Sequence, residues 1–518
     1  MSFRNLIQRF LLPTGKHNWQ QLMVGDEEFR RRFYHLWKCY PPRIGIAVSG
    51  GVDSMALAWL TKSLAEAENM KVHAFIVDHG ARPESAEEAQ KVAEIMAGYS
   101  FQPHVLQLSW GPEGLPTGGF ETAARTARYQ ALAQACVENE VRHVLLGHHS
   151  DDLAETVMMR MICSSRAEGL RGMKHISRMP ETWGIYGADE IEIGRPFLSV
   201  SKTRLKCTCK VEGVRWFEDP TNNDPSYTRR NAIRKLLSTI PPRLPKALQK
   251  PALVEMAHRV AAQDAAVTRK AREVLALDCE VNVNQSTGTL QMMLPPTYTG
   301  LGLGLGPNDP AGARIMLRVL TVIAERVTPL RKIKRKSMIN VLANIYERSP
   351  REPIHFTAAG LSWTRGANKL IWSLRRVPHT HRARAEATVE FDTEPPNQWS
   401  EWKLWDGRWW IRVQSLRKEI RKVVVRPLAP EDMKQLRGRV EQIGMPWIME
   451  ELANMGPKAR FTVPVIAIEE RSPDDWEVID DWLLIGLPSF GVDLMNRNGP
   501  YVSDGRLVRW KISFRKPM

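Results

Sequence analysis

Residues 44–57 read IGIAVSGGVDSMAL: a strand-length apolar run, a Gly-Gly turn and the opening of a helix. Glycine lets the backbone approach a ligand closely. Ser49, Gly50, Gly51, Val52 and the amides that follow can therefore converge on an anion at the helix N-terminus, with Ser49 and Ser54 adding hydroxyl donors. Asp53 is the odd member. A carboxylate beside a polyphosphate repels it unless a divalent cation lies between them, which makes Asp53 a candidate Mg²⁺ holder. No lysine follows in GxxxxGK[ST] spacing, so this is not a Walker loop. The plainer alternative is a strand-to-helix turn in which Asp53 and Ser54 only cap the helix.

Outward from that loop, strand-like and helix-like stretches alternate. VHAFIVDH (72–79) reads as a strand, 85–97 as a helix, 104–108 as a strand, 121–137 as a helix and 143–146 as a strand. This rhythm predicts an α/β fold with a doubly wound, mainly parallel, Rossmann-like sheet whose ligands sit at the carboxyl ends of the strands. IPPRLPKALQKP (240–251) reads as a boundary. The expected organisation is an extension and candidate targeting segment over 1–40, the α/β domain over 41–240, a helical, basic region with a linker over 241–390 and a small mixed or β-rich C-terminal domain over 391–518, the last two expected to bind a polyanionic partner through their basic residues. The helical region opens with a helix over 252–277, contains a glycine- and proline-rich loop over 297–314, and closes with a basic linker over 375–387. Trp399, Trp402, Trp405, Trp409 and Trp410 are expected chiefly to pack in the C-terminal core.

At 518 residues the chain is long enough for several ordinary cores, and 43 % apolar with 25 % charged residues is globular composition. No apolar run is long enough to span a membrane, so a membrane partner is not expected. Lysine and arginine outnumber acids 73 to 57, a net charge of +16 that favours polyanions such as nucleic acid. Six cysteines without a CxxC pair make no disulfide framework and fit a reducing compartment. Residues 1–25 carry Arg4, Arg9 and Lys16, and Phe3, Leu6, Ile7, Phe10 and Leu11 form one apolar face. That pattern suits a mitochondrial targeting segment, hence the matrix, or alternatively an ordinary amphipathic helix of a cytoplasmic protein.

VLLGHHSDDLAET puts His148, His149, Asp151, Asp152 and Glu155 at a strand end and in the first turns of a helix, where the sheet rule places ligands. SGGVDS in its strand-loop-helix setting resembles the pyrophosphatase loop of N-type ATP pyrophosphatases, the PP-loop superfamily. Taken in order, SGGVDS, VDHGARPES, GGFETAARTARYQAL, LLGHHSDDLAETVMMR, GLRGM, RPFL and FEDPTNNDPSYTRRNAIR are similar to the motif series of the tRNA(Ile)-lysidine synthase family. The resemblance runs from Pro42 to Leu237 and does not extend to the C-terminal half.

The resemblance implies a ligase that joins L-lysine to carbon 2 of the wobble cytidine of tRNA(Ile) with a CAU anticodon. ATP first adenylates the ring oxygen, releasing pyrophosphate, and the lysine ε-amine then displaces AMP. It implies ATP as co-substrate with Mg²⁺, and tRNA(Ile) and L-lysine as partners; a homodimer is left open. Ser49, Gly50, Gly51, Val52, Asp53, Ser54, Asp78, His79, Arg125 and Arg128 would bind ATP. Asp53, His148, His149, Asp152 and Arg230 would form the catalytic group, with a histidine as proton acceptor. Glu155, Asp219, Asn231 and Arg234 would meet lysine or tRNA. Two other readings stand beside it. A tRNA thiolase of the same superfamily would need paired cysteines, and Cys207 and Cys209 give only CxC. A non-catalytic tRNA-binding relative would not need intact SGGVDS and HHSDDLAET.

Overall fold

Strands buried on both faces need apolar side chains at successive positions, and the middles of β1 (Arg43–Ala47) and β2 (Lys71–Asp78) have them: Ile44 and Ile46 in β1 and the run Ala74, Phe75 and Ile76 in β2 are all buried. The computed structural model describes residues 22–80, 84–108, 110, 120–163, 167–218, 228–239, 244–295, 310–349, 351–393, 395–418, 420, 422–469, 482–495 and 507–515. It divides into two compact units, Met1–Ala265 and Ala266–Met518.

In the first unit α1 (Asp26–Trp37) precedes β1, and α2 (Val52–Glu68), β2, α3 (Ser85–Gly98), β3 (Gln102–Gln107), α4 (Phe120–Glu138), β4 (His143–Leu145) and α5 (Ser150–Ile162) follow. After them come β5 (Ile176–Arg178), β6 (Glu192–Gly194), α6 (Lys202–Val211), α7 (Arg229–Thr239) and α8 (Lys250–Leu277). The sheet order is β3-β2-β1-β4-β6-β5, parallel except for the edge strand β5. Helices α1, α2, α3 and α6 pack one face around Phe29, Leu57, Val92 and Leu205, while α4 packs the other through Tyr129, Leu132 and Cys136. The chain adds β2 and β3 on one side of β1 and returns to β4 on the other. The crevice beyond β1 and β4 is therefore the topological switch point.

Helices α5, α7 and the start of α8 share their own apolar cluster of Leu153, Val157, Ile233, Leu237, Leu253 and Ala257. The first half of α8 thus belongs with the α/β unit, past the proline-rich 240–251 stretch.

Among the described residues the second unit holds three antiparallel sheets. The stretch expected to be helical does contain α9 (Pro310–Glu325) and α10 (Arg335–Tyr346), and it also carries a sheet ordered β7-β8-β11-β10-β9. Its strands are β7 (Glu280–Asn284), β8 (Thr289–Met293), β9 (Ile354–Ala358), β10 (Leu361–Arg365) and β11 (Ile371–Arg376). These strands are five or six residues long and bury only alternate residues, such as Leu290 and Met292, a weak signal between long helices. The basic 375–387 stretch is the end of β11, a turn and α11 (His381–Glu386), which Thr380 caps by accepting from the Ala383 amide at 3.3 Å.

Beyond it, β12 (Val389–Asp392), β15 (Lys422–Pro427), β16 (Pro464–Glu469), β17 (Trp482–Leu487) and β18 (Val492–Asp493) form a second sheet. The third comprises β13 (Lys403–Trp405), β14 (Trp409–Ser415) and β19 (Val508–Phe514). Helices α12 (Asp432–Gln442) and α13 (Trp447–Asn454) cover the apolar cluster of Leu436, Ile448, Val465 and Leu484. Trp405, Trp409 and Trp410 are buried, whereas Trp399 and Trp402 are half-buried. Among the described residues no helix is long and apolar enough to cross a membrane.

Trp363 on β10 is fully buried and stacks on Phe356 with ring centroids 5.9 Å apart. Trp363→Ala is expected to destabilise the second unit by about 3–5 kcal/mol, read as a lower denaturant midpoint.

Candidate active site

β1 ends at the phosphate loop, and the loop's backbone faces an open helix start. Gly50 has φ +77°, a conformation that favours glycine, and a Cβ there would meet Val92 and Phe217 at 3.0 and 3.2 Å. Ser54 Oγ donates to the Gly51 carbonyl at 2.9 Å and accepts from the Ser49 amide at 3.2 Å, which closes the turn. Gly51 is the N-cap of α2, and no side chain caps it. The first amides of α2 and the positive end of its dipole are the feature that binds anions. Gly147, two residues past β4, lets the chain leaving that strand meet the start of α2: a Cβ there would lie 3.0 Å from the Asp53 carbonyl oxygen.

Across that contact stands α5, and its N-cap is His149. Nδ1 accepts from the Asp151 and Asp152 amides at 3.2 and 3.4 Å, and the His149 amide donates to Asp152 Oδ2 at 3.1 Å, a reciprocal capping box. Nε2 lies 3.4 Å from Asp53 Oδ2 and 3.5 Å from Asp152 Oδ2. Burial disfavours charge on this ring, but hydrogen bonding to Asp53 and the charges of Asp152, Asp53 and Asp151 outweigh it and raise its pKa. The cap nevertheless requires Nδ1 unprotonated, so the Nε2–H tautomer is the one the hydrogen bonds satisfy. Lys202 Nζ is 3.3 Å from Asp53 Oδ2, while Asp53 Oδ1 is buried with no hydrogen-bond partner among the described residues.

Asp151 and Glu155 lie on one helix turn but serve different neighbours. Asp151 accepts from the Lys202 amide at 3.1 Å and pairs with Lys250 at 3.0 Å, tying α5 to α6 and α8. Burial pushes the Asp151 pKa up, and Lys250 and the other hydrogen bonds bring it below the usual carboxylate value. Glu155 is 3 % exposed and accepts from Arg230 Nε and Arg234 Nε, each at 2.8 Å. Arg230 also donates to Asp152 at 2.7 Å, so it bridges both carboxylates. Glu155 is therefore placed as the strut that holds two arginines. Asn231 is buried, and its amide donates to Thr228 Oγ1 at 3.0 Å at the start of α7. Asp219 lies outside the described residues.

His148 is the other histidine of the pair. Its Nδ1 is buried with no partner among the described residues. Burial, only partly offset by Asp152 and reinforced by Arg195, Arg230 and Arg128, pushes its pKa down to about 3, so the ring is neutral at physiological pH. Asp78 forms the turn after β2, accepting from the Gly80 amide at 2.9 Å and from Ser85 Oγ at 2.6 Å. Burial and the charge of Arg128 lower the pKa of His79, which keeps it neutral and sets it beside Arg128. Arg125, exposed, lies over the Tyr129 ring at 4.7 Å, and half-buried Arg128 at 5.5 Å.

Sequence reasoning missed Lys202, Lys250, Arg195 and Gly147. RPFL was recognised only as a motif, yet its Arg195 is buried and donates to the Lys174 carbonyl and Ser177 Oγ. A lone lysine such as Lys202 or Lys250 carries no spacing signal. GLRGM turns out to be a packing motif: the Gly169 and Gly172 carbonyls accept from Arg160 of α5, and Arg171 pairs with buried Asp264 at 2.8 Å.

A family model described as a PP-loop domain matches residues 26–240. A Schizosaccharomyces pombe protein described as a probable tRNA(Ile)-lysidine synthase is 30 % identical over 89 % of this chain and 93 % of its own. A Ruegeria pomeroyi tRNA(Ile)-lysidine synthase is 29 % identical over 76 % of this chain and 82 % of its own. Among solved structures, the U34-tRNA thiolase NcsA from Methanococcus maripaludis covers 46 % of this chain and 79 % of its own, at 15 % identity and a TM-score of 0.37.

The suppressed pKa of His148 sets a pH dependence. Below the ordinary value of 6.5 the unfolded chain takes up a proton that the folded chain refuses until about pH 3. The associated stability is complete above pH 6.5 and is lost progressively as pH falls below it. Between pH 6.5 and 5 the wild type should lose up to about 2 kcal/mol that a His148→Asn variant keeps, measured as denaturant midpoints at the two pH values.

Proposed function

This chain belongs to the tRNA(Ile)-lysidine synthase family and is an ATP-using ligase of the PP-loop type, and we propose that it attaches L-lysine to carbon 2 of the wobble cytidine of tRNA(Ile). The observation that carries this reading is the meeting, at the switch point, of an uncapped phosphate-loop helix with the His149-capped helix of paired carboxylates, joined through Asp53. In the first half-reaction the cytosine O2 attacks the α-phosphate of ATP and pyrophosphate leaves, held by the loop amides and the Ser49 hydroxyl, while Ser54 holds the loop in shape. The unpartnered Oδ1 of Asp53 fits a divalent cation, and Mg²⁺ there would neutralise charge between the carboxylate and the polyphosphate. Arg128 and Arg195 have no acidic partner within 4 Å among the described residues, and they meet the charge of the adenylate.

In the second half-reaction the lysine ε-amine attacks carbon 2 and AMP departs with the bond electrons. An ammonium has no lone pair, and at a reference pKa of about 10.4 only about one lysine in a thousand is reactive at pH 7. His149 spends Nδ1 on two amides. His148 offers a ring nitrogen, Nδ1, that has no partner among the described residues, and the negative charge of the bound adenylate must raise its pKa from about 3 for it to take the proton. The thiolase reading loses ground, because Cys209 is buried with its thiol pKa raised by burial to about 12 and donates to the Val52 carbonyl.

The second unit would supply RNA contacts, among them the exposed Arg331, Lys332, Lys334, Arg335 and Lys336 at the start of α10. The basic, acid-free opening of the chain supports import into the mitochondrial matrix.

The overall reading is checked by incubating tRNA(Ile) with ATP and labelled lysine: labelled lysidine is expected on nucleoside analysis, and its absence would sink the assignment. Asp53→Ala should lower tRNA-dependent pyrophosphate release by at least about a hundredfold while tRNA affinity stays within about twofold; near wild-type release would refute its role. His148→Asn should slow the second step and let adenylated tRNA accumulate, whereas His149→Ala should break the cap and depress both steps. Equal accumulation in the two variants would remove His148 as the acceptor.

A further inference from the structure

The three-stranded sheet of the second unit carries a basic, aromatic face that no part of the proposed reaction uses. Residues 397–402 run along β14 as a strap. The Asn397 amide donates to the Ser415 carbonyl at 2.8 Å, the Ser400 amide donates to the Val413 carbonyl at 2.8 Å, and the Val413 amide returns to Ser400 Oγ at 3.0 Å. Gln414 Nε2 donates to the Asn397 carbonyl at 2.6 Å. The strap is thereby fixed, and it holds Trp399 and Trp402 on either side of Arg412, whose Cζ lies 4.9 and 4.8 Å from the two ring centroids. Lys511 Nζ lies 5.1 Å from the Trp399 ring.

Strand register puts the cations on one face. Arg412 pairs with Lys511, and Gln414 with Arg509, so Arg412, Arg509 and Lys511 project from the same side of neighbouring strands. Arg509 and Lys511 are exposed, and Arg412 Nε is buried with no hydrogen-bond partner among the described residues. None of the three has an acidic partner within 4 Å among the described residues, and Glu401, exposed on the strap, pairs with none of them. Three cations held close together without a counter-charge repel one another and project a positive potential. The indole faces fix two of them in place, so little side-chain freedom is lost when an anion arrives.

We propose that this face, formed by Arg412, Arg509 and Lys511 with Trp399 and Trp402, binds the phosphate backbone of the substrate RNA. The identity of that RNA as a tRNA rests on the function proposed above. RNA is the occupant that the charge favours: the face is uncompensated, cationic and spaced along two strands, and the chain as a whole carries +16.

The test uses the full-length protein and tRNA transcript in filter binding over a series of salt concentrations. Arg509→Gln with Lys511→Gln should weaken binding about tenfold at 0.1 M salt and lower the slope of log affinity against log salt by about two, as expected for two lost phosphate contacts. ATP affinity should be unchanged. The charge-preserving pair Arg509→Lys with Lys511→Arg should bind like the wild type, which a merely structural role would not distinguish in this way. Unchanged affinity and slope in the Gln pair would overturn the proposal. Its failure is separable from failure of the enzymatic reading: lysidine formation with an unaffected Gln pair sinks only this surface, while salt-steep tRNA binding that the Gln pair weakens, without lysidine, sinks only the reaction.

Discussion

Two carboxylates in the first turns of α5, Asp152 and Glu155, are largely withdrawn from water, and a buried carboxylate left alone costs several kcal/mol. Arg230 satisfies both at once, and Arg234, one helical turn later on α7, takes the remaining oxygen of Glu155. That single requirement fixes where α7 must lie. It also accounts for the physical content of the RRNAIR segment: Arg230 and Arg234 are four apart and reach the same face, while Ile233 and Leu237 fill the cluster with Leu153 and Val157. Removing Arg230 would take the guanidinium from Asp152 and leave Glu155 with Arg234 alone, and removing Arg234 would leave Glu155 with Arg230 alone; either loss would loosen the helix that carries the site.

The phosphate loop and the doubly wound sheet were legible because their signals are local and periodic. Continuous apolar strands, a Gly-Gly turn and helices of the right length stand in order along the chain. The His149–Asp152 region was legible as a site but not as geometry. His148, His149, Asp151 and Asp152 read equally well as ligands, bases or dipole partners, and only the fold shows that His149 is an N-cap. Glu155 was read as a receptor for lysine because an acidic residue facing a cationic substrate is the simplest assignment; its actual cations come from the same chain, 75 and 79 residues away. Lys202 and Lys250 could not be read at all. Their partners, Asp53 and Asp151, lie far away in sequence, and an isolated lysine on a helix looks the same whether it faces solvent or a carboxylate.

His149 illustrates how capping and electrostatics can pull in opposite directions. Three surrounding carboxylates favour the imidazolium, yet a second proton would sit on Nδ1 and turn the acceptor of two helix amides into a donor. The ring can carry charge only by giving up the cap. Its contribution is accordingly orientation: it fixes the start of α5, and through Nε2 it holds Asp53, so that the loop and the carboxylate helix are tied together.

The same pairing decides which groups are available to a polyphosphate. Asp53, Asp151, Asp152 and Glu155 face Lys202, Lys250, Arg230 and Arg234, so this cluster is close to neutral by itself and has little cationic charge to spare. In the proposed reaction the incoming negative charge must be met elsewhere. The uncapped amides of α2 supply part of it. Arg128 and Arg195 supply the rest: burial lowers the pKa of both, the cost of holding a guanidinium away from water without a carboxylate. Such a cation is tolerated most easily when its counter-ion arrives with the substrate. A self-neutralised scaffold beside two arginines with no carboxylate within 4 Å among the described residues thus separates the groups that hold the site together from those left, in the proposed reaction, to meet the nucleotide.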